Sequence, residues 1–177
     1  MALQLTNTNT AESLADLTLD NVEDLVGWEN PIDGQHVFSI VAAGIEQYLA
    51  DDEVTDRIYV VYCLRKTLAK ANAKDPDSTI GSLHKEMFTA KGLEYFKKLV
   101  KNLLKGEDLT GISIGSMCAA IQEAYTNQAN FSAVVKNTTS KSGFESVRMS
   151  KITPVAIIPL PDGLAEPEYI PTSVEEQ

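Results

Sequence analysis

The clearest hydrophobic stripe in the chain is Val37, Ile40, Val41, Gly44, Ile45, Tyr48 and Leu49, a spacing of three and four that predicts an amphipathic helix. Upstream, Leu14, Leu17, Val22, Leu25 and Val26 recur in the same way, with Ser13 or Thr18 as N-cap and Gly27 as a stop. Between them Trp28-Glu-Asn-Pro-Ile-Asp-Gly34 is turn chemistry. The run Ile58-Tyr-Val-Val-Tyr-Cys-Leu64 reads as a buried strand or a helix; its charged flanks and the spacing of Val54, Ile58, Val61, Leu64 and Leu68 favour a central helix. Ser78 or Thr79 opens a shorter helix through Ile80, Leu83, Met87 and Phe88. A basic helix spans Lys91 to Lys105, its stripe Leu93, Phe96, Leu99, Val100, Leu103 and Leu104, with Gly106 to end it. Thr110 to Ala129 predicts another, with Gly111, Gly115, Ala119 and Ala120 as a small face for close packing. The period then changes: Phe131 to Lys136 and Phe144 to Ile152 read as two strands joined by the polar stretch 137–143.

The expected fold is therefore mainly α. It is a compact bundle of about five or six helices followed by a β-hairpin and an extended proline-rich C-terminal arm. The divisions are a flexible tail at 1–11, a helical core at 12–130, the hairpin at 131–152 and the arm at 153–177. The arm has its own logic. Lys151 to Pro171 holds five of the seven prolines, each lacking an N–H and fixing φ, which excludes a helix or a central strand. Yet Val155, Ile157, Ile158, Leu160, Tyr169 and Ile170 are too apolar for an idle tail, so the segment reads as a stiff docking strand, packed on its own domain or on a neighbour.

Charge changes the picture more than composition does. The formal net charge of −10 conceals three blocks. Residues 1–56 carry twelve acids and no base, residues 57–151 carry all fifteen bases against eight acids, and residues 152–177 carry five acids and no base. Lys91, Lys97, Lys98, Lys101 and Lys105 form a basic face on their helix, able in principle to neutralise phosphates, while Tyr95 and Phe96 are assigned to the apolar side. An acidic tail could compete with such binding, as in some single-strand-binding proteins.

Candidate chemistry is sparse. Cys63 and Cys118 lie within apolar segments without a Cys-x-x-Cys arrangement and read as buried thiols; His36 and His84 lack partners at metal-ligand spacing and read as surface or capping residues. Thr110-Gly-Ile-Ser-Ile-Gly-Ser-Met-Cys118 lacks the Gly-Lys-[Ser/Thr] ending of a phosphate cradle, and Ser116 is not in Gly-x-Ser-x-Gly. No catalytic residue, cofactor or metal is expected, no apolar run approaches the roughly 20 residues of a membrane span, and no signal peptide is read, which points to the cytoplasm or a virion.

Acidic ends and a basic middle suit self-association through arms, so the favoured expectation is a non-enzymatic assembly protein, a homo-oligomer or a partner of other protein subunits. In outline that architecture is similar to tailed-phage connector and adaptor proteins, with no residue motif carrying the likeness. The alternatives are an acidic module that occupies a basic nucleic-acid-binding site on another protein and, third, a nucleic-acid binder using the lysine helix.

Overall fold

The computed structural model describes residues 27–171 and residue 173; the tail at 1–11 and the helix expected over Leu14–Val26 lie outside them. Strands β1 (Gly34–Ala50), β2 (Glu53–Lys70), β3 (Leu83–Phe88), β4 (Asn130–Thr139) and β5 (Glu145–Val155) form one antiparallel sheet in the order β3-β2-β1-β4-β5. This overturns the helical bundle. Among the described residues only α1 (Leu93–Leu103), α2 (Ile114–Glu123), a π-helical turn at Ala124–Gln128 and a 3-10 turn at Ala90–Gly92 are helical. Three successive strands, with a fourth that returns through the helices to lie beside the first, make a Greek key, and β5 extends it.

The helical spacing in β1 has a local cause. Ile40 pairs with Tyr62 and Ala42 with Val61, so Val41 is the extra residue of a bulge and the side-chain alternation slips by one. Phe38 and Ile40 then share a face with Ala43, while Ala42 and Gly44 take the opposite one. Apolar positions on both faces, displaced by a bulge, reproduce a three-and-four spacing. Gly44 does not admit a backbone there; a Cβ would lie 3.0 Å from the Tyr59 hydroxyl, so the glycine makes room for that ring.

β2 is the buried strand that its charged flanks disguised. Ile58, Val60, Tyr62 and Leu64 face the helices, and Tyr59, Val61 and Cys63 face the other way. A strand covered on both faces reads as a continuous apolar run, and β-branched and aromatic residues pack well on its pleats. Asp51 and Asp52, with φ of 50° and 62°, close the β1–β2 hairpin with the positive-φ pair that a two-residue turn needs. The helix expected from Ser78 or Thr79 to Phe88 is β3, whose outer edge takes a short parallel bridge from Trp28 to Leu83.

Inside Lys91–Lys105, α1 buries Phe96, Leu99, Val100 and Leu103 against the sheet, and Gly106 follows at φ 87°. It spans the gap between the two edge strands, Phe96 lying 5.4 Å from Phe88 of β3 and Lys105 Nζ donating to the Ile152 carbonyl of β5 at 3.1 Å. Helix α2 starts at Ser113, whose Oγ accepts the Ser116 N–H at 3.1 Å. Its small residues Gly115 and Ala119 line a cleft of about 460 Å³ instead of backing onto a helix. Beyond Phe38, where β4 stops pairing, α2 and the π-helical turn supply partners for β1: Ala43 N–H donates to Gln122 Oε1 at 3.0 Å and Thr126 Oγ1 donates to the Ile40 carbonyl at 2.7 Å. No helix among the described residues is long and apolar enough to cross a membrane.

On the helix-covered face, Tyr62 donates to Glu86 Oε2 at 2.9 Å and His84 stacks on its ring at 6.2 Å. Burial pushes the Glu86 carboxyl up to about 7 despite that hydrogen bond, and lowers His84 to about 4. The two work against each other. Between about pH 4.5 and 7 folded Glu86 keeps a proton that the unfolded chain releases, so its contribution is lost as pH rises; His84 stays neutral where the unfolded chain is charged, so its contribution is lost as pH falls. Glu86→Gln removes the first effect. Relative to the unchanged protein it should gain about 2 kcal/mol between pH 4.5 and pH 7.5, read from urea midpoints at each pH. A pH-independent difference would contradict the assignment.

Candidate functional site

After β5 the chain crosses to the sheet face opposite the helices and lies along it. Ile158 N–H donates to Asn130 Oδ1 at 2.7 Å, and Pro161–Leu164 form a turn in which Leu164 N–H donates to the Pro161 carbonyl at 3.2 Å and Gly163 takes φ 88°. Leu160 before the turn and Tyr169 after it pack on Ala42, Tyr59, Val61, Cys63 and Leu83. The arm therefore lies on its own domain. Of the residues expected to dock, Leu160 and Tyr169 meet this face, Ile158 is tied to Asn130, and Val155 ends β5 opposite Asn130. Ile157 and Ile170, 48% and 75% exposed, remain in solvent.

Polar contacts hold the arm at two points. Buried Arg65 reaches Ser39 Oγ through Nε at 2.8 Å and grips Glu166 with both terminal nitrogens, at 2.9 and 2.7 Å. Arg65 holds the Glu166 carboxyl below its usual range, and that carboxylate keeps the guanidinium charged against the opposing effect of burial. At the second point, the fully buried Glu46 carboxylate accepts from Arg57 Nε at 2.9 Å, from Lys85 Nζ and from Tyr169 Oη at 2.6 Å. Burial would raise Glu46, but these donors outweigh it and hold the carboxyl low. Lys85 also donates to Tyr169 Oη at 2.5 Å and lies 4.8 Å from the centre of that ring. Tyr59 and Trp28 approach the same ring at 5.0 and 6.0 Å.

Beneath the arm is a face of aromatic rings and cations: Trp28, Tyr59, Arg57, Arg65 and Lys85, with a shallow cleft of about 360 Å³ at the β3 edge. The same sheet face continues onto β4 and β5, where exposed Lys136 and Arg148 are direct register partners. Two cations set opposite each other repel, and the Asp33 carboxylate, held low by hydrogen bonds from Asn137 and in part by the Lys136 charge, offsets this in part on the Lys136 side.

The expected basic face is elsewhere. Lys91, Lys97, Lys98, Lys101 and Lys105 are exposed on or beside α1, on the helix side of the sheet, so they and the arm are not brought together. Tyr95 is 64% exposed among them, which corrects its assignment to the apolar side; Phe96 is buried. His36 is a core residue, not a surface one, between the Ile32 carbonyl at 2.8 Å and Thr67 Oγ1 at 3.0 Å. Cys63 and Cys118 are free and buried on opposite faces, each thiol pushed up to about 11 by burial, which makes them poor nucleophiles. Among the described residues no group of three His, Cys, Asp or Glu is arranged to hold a metal.

Sequence reasoning missed Glu46, Arg57, Arg65 and Lys85. The available signal was a charged residue inside or bordering each apolar run, which marks one strand face as partnered. Comparison of the chain with family models, curated proteins and solved structures finds no match.

Proposed function

We propose that the protein binds single-stranded nucleic acid on the β1–β2–β3 face, with Lys136 and Arg148 extending the track. The observation that carries this is the chemistry of the covered face: the rings of Trp28 and Tyr59 lie among the cations Arg57, Lys85 and Arg65, and its present cover is held by a carboxylate and a phenol. Sequence-tolerant single-strand binding uses that combination, a positive groove for the backbone and aromatic platforms for the bases. Topology adds support by analogy, since a five-stranded Greek-key sheet that is open at one seam and binds through strands 2 and 3 is the plan of oligonucleotide-binding OB barrels. The setting proposed for it remains the cytoplasm or a virion.

Fluorescence anisotropy with an oligodeoxythymidylate of about 16 nucleotides tests the reading. The protein should bind it in preference to a duplex, with affinity falling steeply as salt rises. Changing Lys136 and Arg148 together to glutamate should weaken binding about tenfold, while the same change at Lys97, Lys98 and Lys101 leaves it unaltered. The reverse pattern would transfer binding to the lysine helix, and no binding by any form would refute both.

A second reading, self-assembly, draws on the part of the β1–β2 ribbon that extends past its neighbouring strands and exposes Ile45, Leu49 and Val54 at 50, 51 and 54%. Light scattering that shows a larger species, dissociated by Leu49→Lys, would favour it.

A further inference from the structure

Resting on that nucleic-acid reading, we propose that arm residues Glu166 and Tyr169 occupy the ligand's own positions, Glu166 that of a backbone phosphate and Tyr169 that of a base. The protein then takes up nucleic acid only by exchanging its arm for it.

Each arm contact matches one that a strand of several nucleotides would make along β2. A guanidinium fork that accepts a carboxylate through both terminal nitrogens presents the same two donors to a phosphate. The Tyr169 ring lies 5.0 Å from Tyr59 at a tilt of 54°, with Trp28 edge-on and Lys85 at its hydroxyl, so two rings and a cation border the place that a base would take. Charge agrees over a longer range, because residues 152–177 carry five acids and no base, whereas residues 57–151 hold every base in the chain.

The arm is held firmly enough to be ordered and lightly enough to leave. The Glu166 side chain is 66% exposed, so water and ions reach its ion pair. What remains after release is unequal. Arg57 and Lys85 keep the Glu46 carboxylate, but Arg65 loses its only carboxylate partner among the described residues and keeps only Ser39. One cation and one ring, Arg65 and Tyr59, are thus uncovered on the same face of β2, six positions and so roughly 20 Å apart along the strand, and they mark the two ends of the primary subsite. A competing internal anion also flattens salt dependence, since each phosphate gained at Arg65 is a carboxylate lost.

Three proteins test this by anisotropy with the same oligodeoxythymidylate: the full chain, Glu166→Gln and a chain ending at Leu160. Glu166→Gln keeps the arm and its packing, so it guards against misfolding of the truncated form. Expected are affinities about threefold tighter for Glu166→Gln and at least about tenfold tighter for the truncated chain, with a log–log salt slope steeper by about one. Trp28 is the only tryptophan and touches Tyr169, so its emission should shift when the full chain binds and the arm departs. Equal affinities in all three proteins with an unmoved Trp28 signal would overturn arm exchange while leaving the binding face intact. No binding by any of the three would overturn the nucleic-acid reading and the exchange with it.

Discussion

Phe131→Ala will lower the stability of the fold by about 3–5 kcal/mol, the range for deleting a fully buried phenylalanine. Phe131 is completely buried, and the rings of Phe38, Tyr62 and Tyr125 lie 5.8, 5.8 and 5.6 Å from its own. It is also the last residue by which β4 pairs with β1, opposite Phe38. Truncation therefore opens a cavity where the two strands and the π-helical turn meet, and the flanking rings are too rigid to fill it. Because a domain of this kind holds only about 5–15 kcal/mol in total, the loss is a large share of it, and the thermal midpoint should fall by roughly 10 °C. Urea unfolding with an unchanged slope checks the result; a loss below about 1.5 kcal/mol would mean that this cluster is not the centre of the core.

The same cluster shows what could be read from the chain and what could not. Strands β4 and β5 were visible because their alternation reaches the solvent face as Lys136 and Arg148, so a period of two survives in the sequence. Helix α1 was visible for the matching reason: its lysines repeat around a stripe that is buried on one side only. Strands β1 and β2 were hidden because both of their faces are covered, the first by helices and the second by the arm. Two-sided burial erases alternation in β2, and the Val41 bulge converts what remains in β1 into a helical spacing. The site was hidden more deeply, since Glu46 and Tyr169 are 123 positions apart and meet only once the arm has crossed the sheet. Charge blocks were legible as composition, and they correspond in space to an acidic arm laid on a basic body. Which carboxylate meets which guanidinium needed the register of the sheet.

Glu46→Ala should destabilise the protein by about 3 kcal/mol at neutral pH, the lower part of the range for breaking a buried ion pair. The carboxylate has no exposed surface and serves Arg57, Lys85 and the Tyr169 hydroxyl at once. Its removal leaves two cations facing each other, but Arg57 and Lys85 keep 23% and 18% of their side-chain surface in solvent and recover part of the loss by turning outward. The pH dependence has a defined sign. Because the folded-state Glu46 titrates below its unfolded value of 4.5, its contribution is present above that value and is lost as pH falls through the lower one. The gap between the unchanged protein and Glu46→Ala should therefore narrow in acid. Binding should move the other way. Without Glu46, Tyr169 loses an acceptor and the arm a fastening, while Arg57 and Lys85 become free to meet phosphate, so the less stable protein should bind the oligonucleotide more tightly. Opposite signs for stability and affinity at one residue would identify Glu46 as the group that holds the face in its arm-covered state. Parallel losses would make it a structural anchor alone.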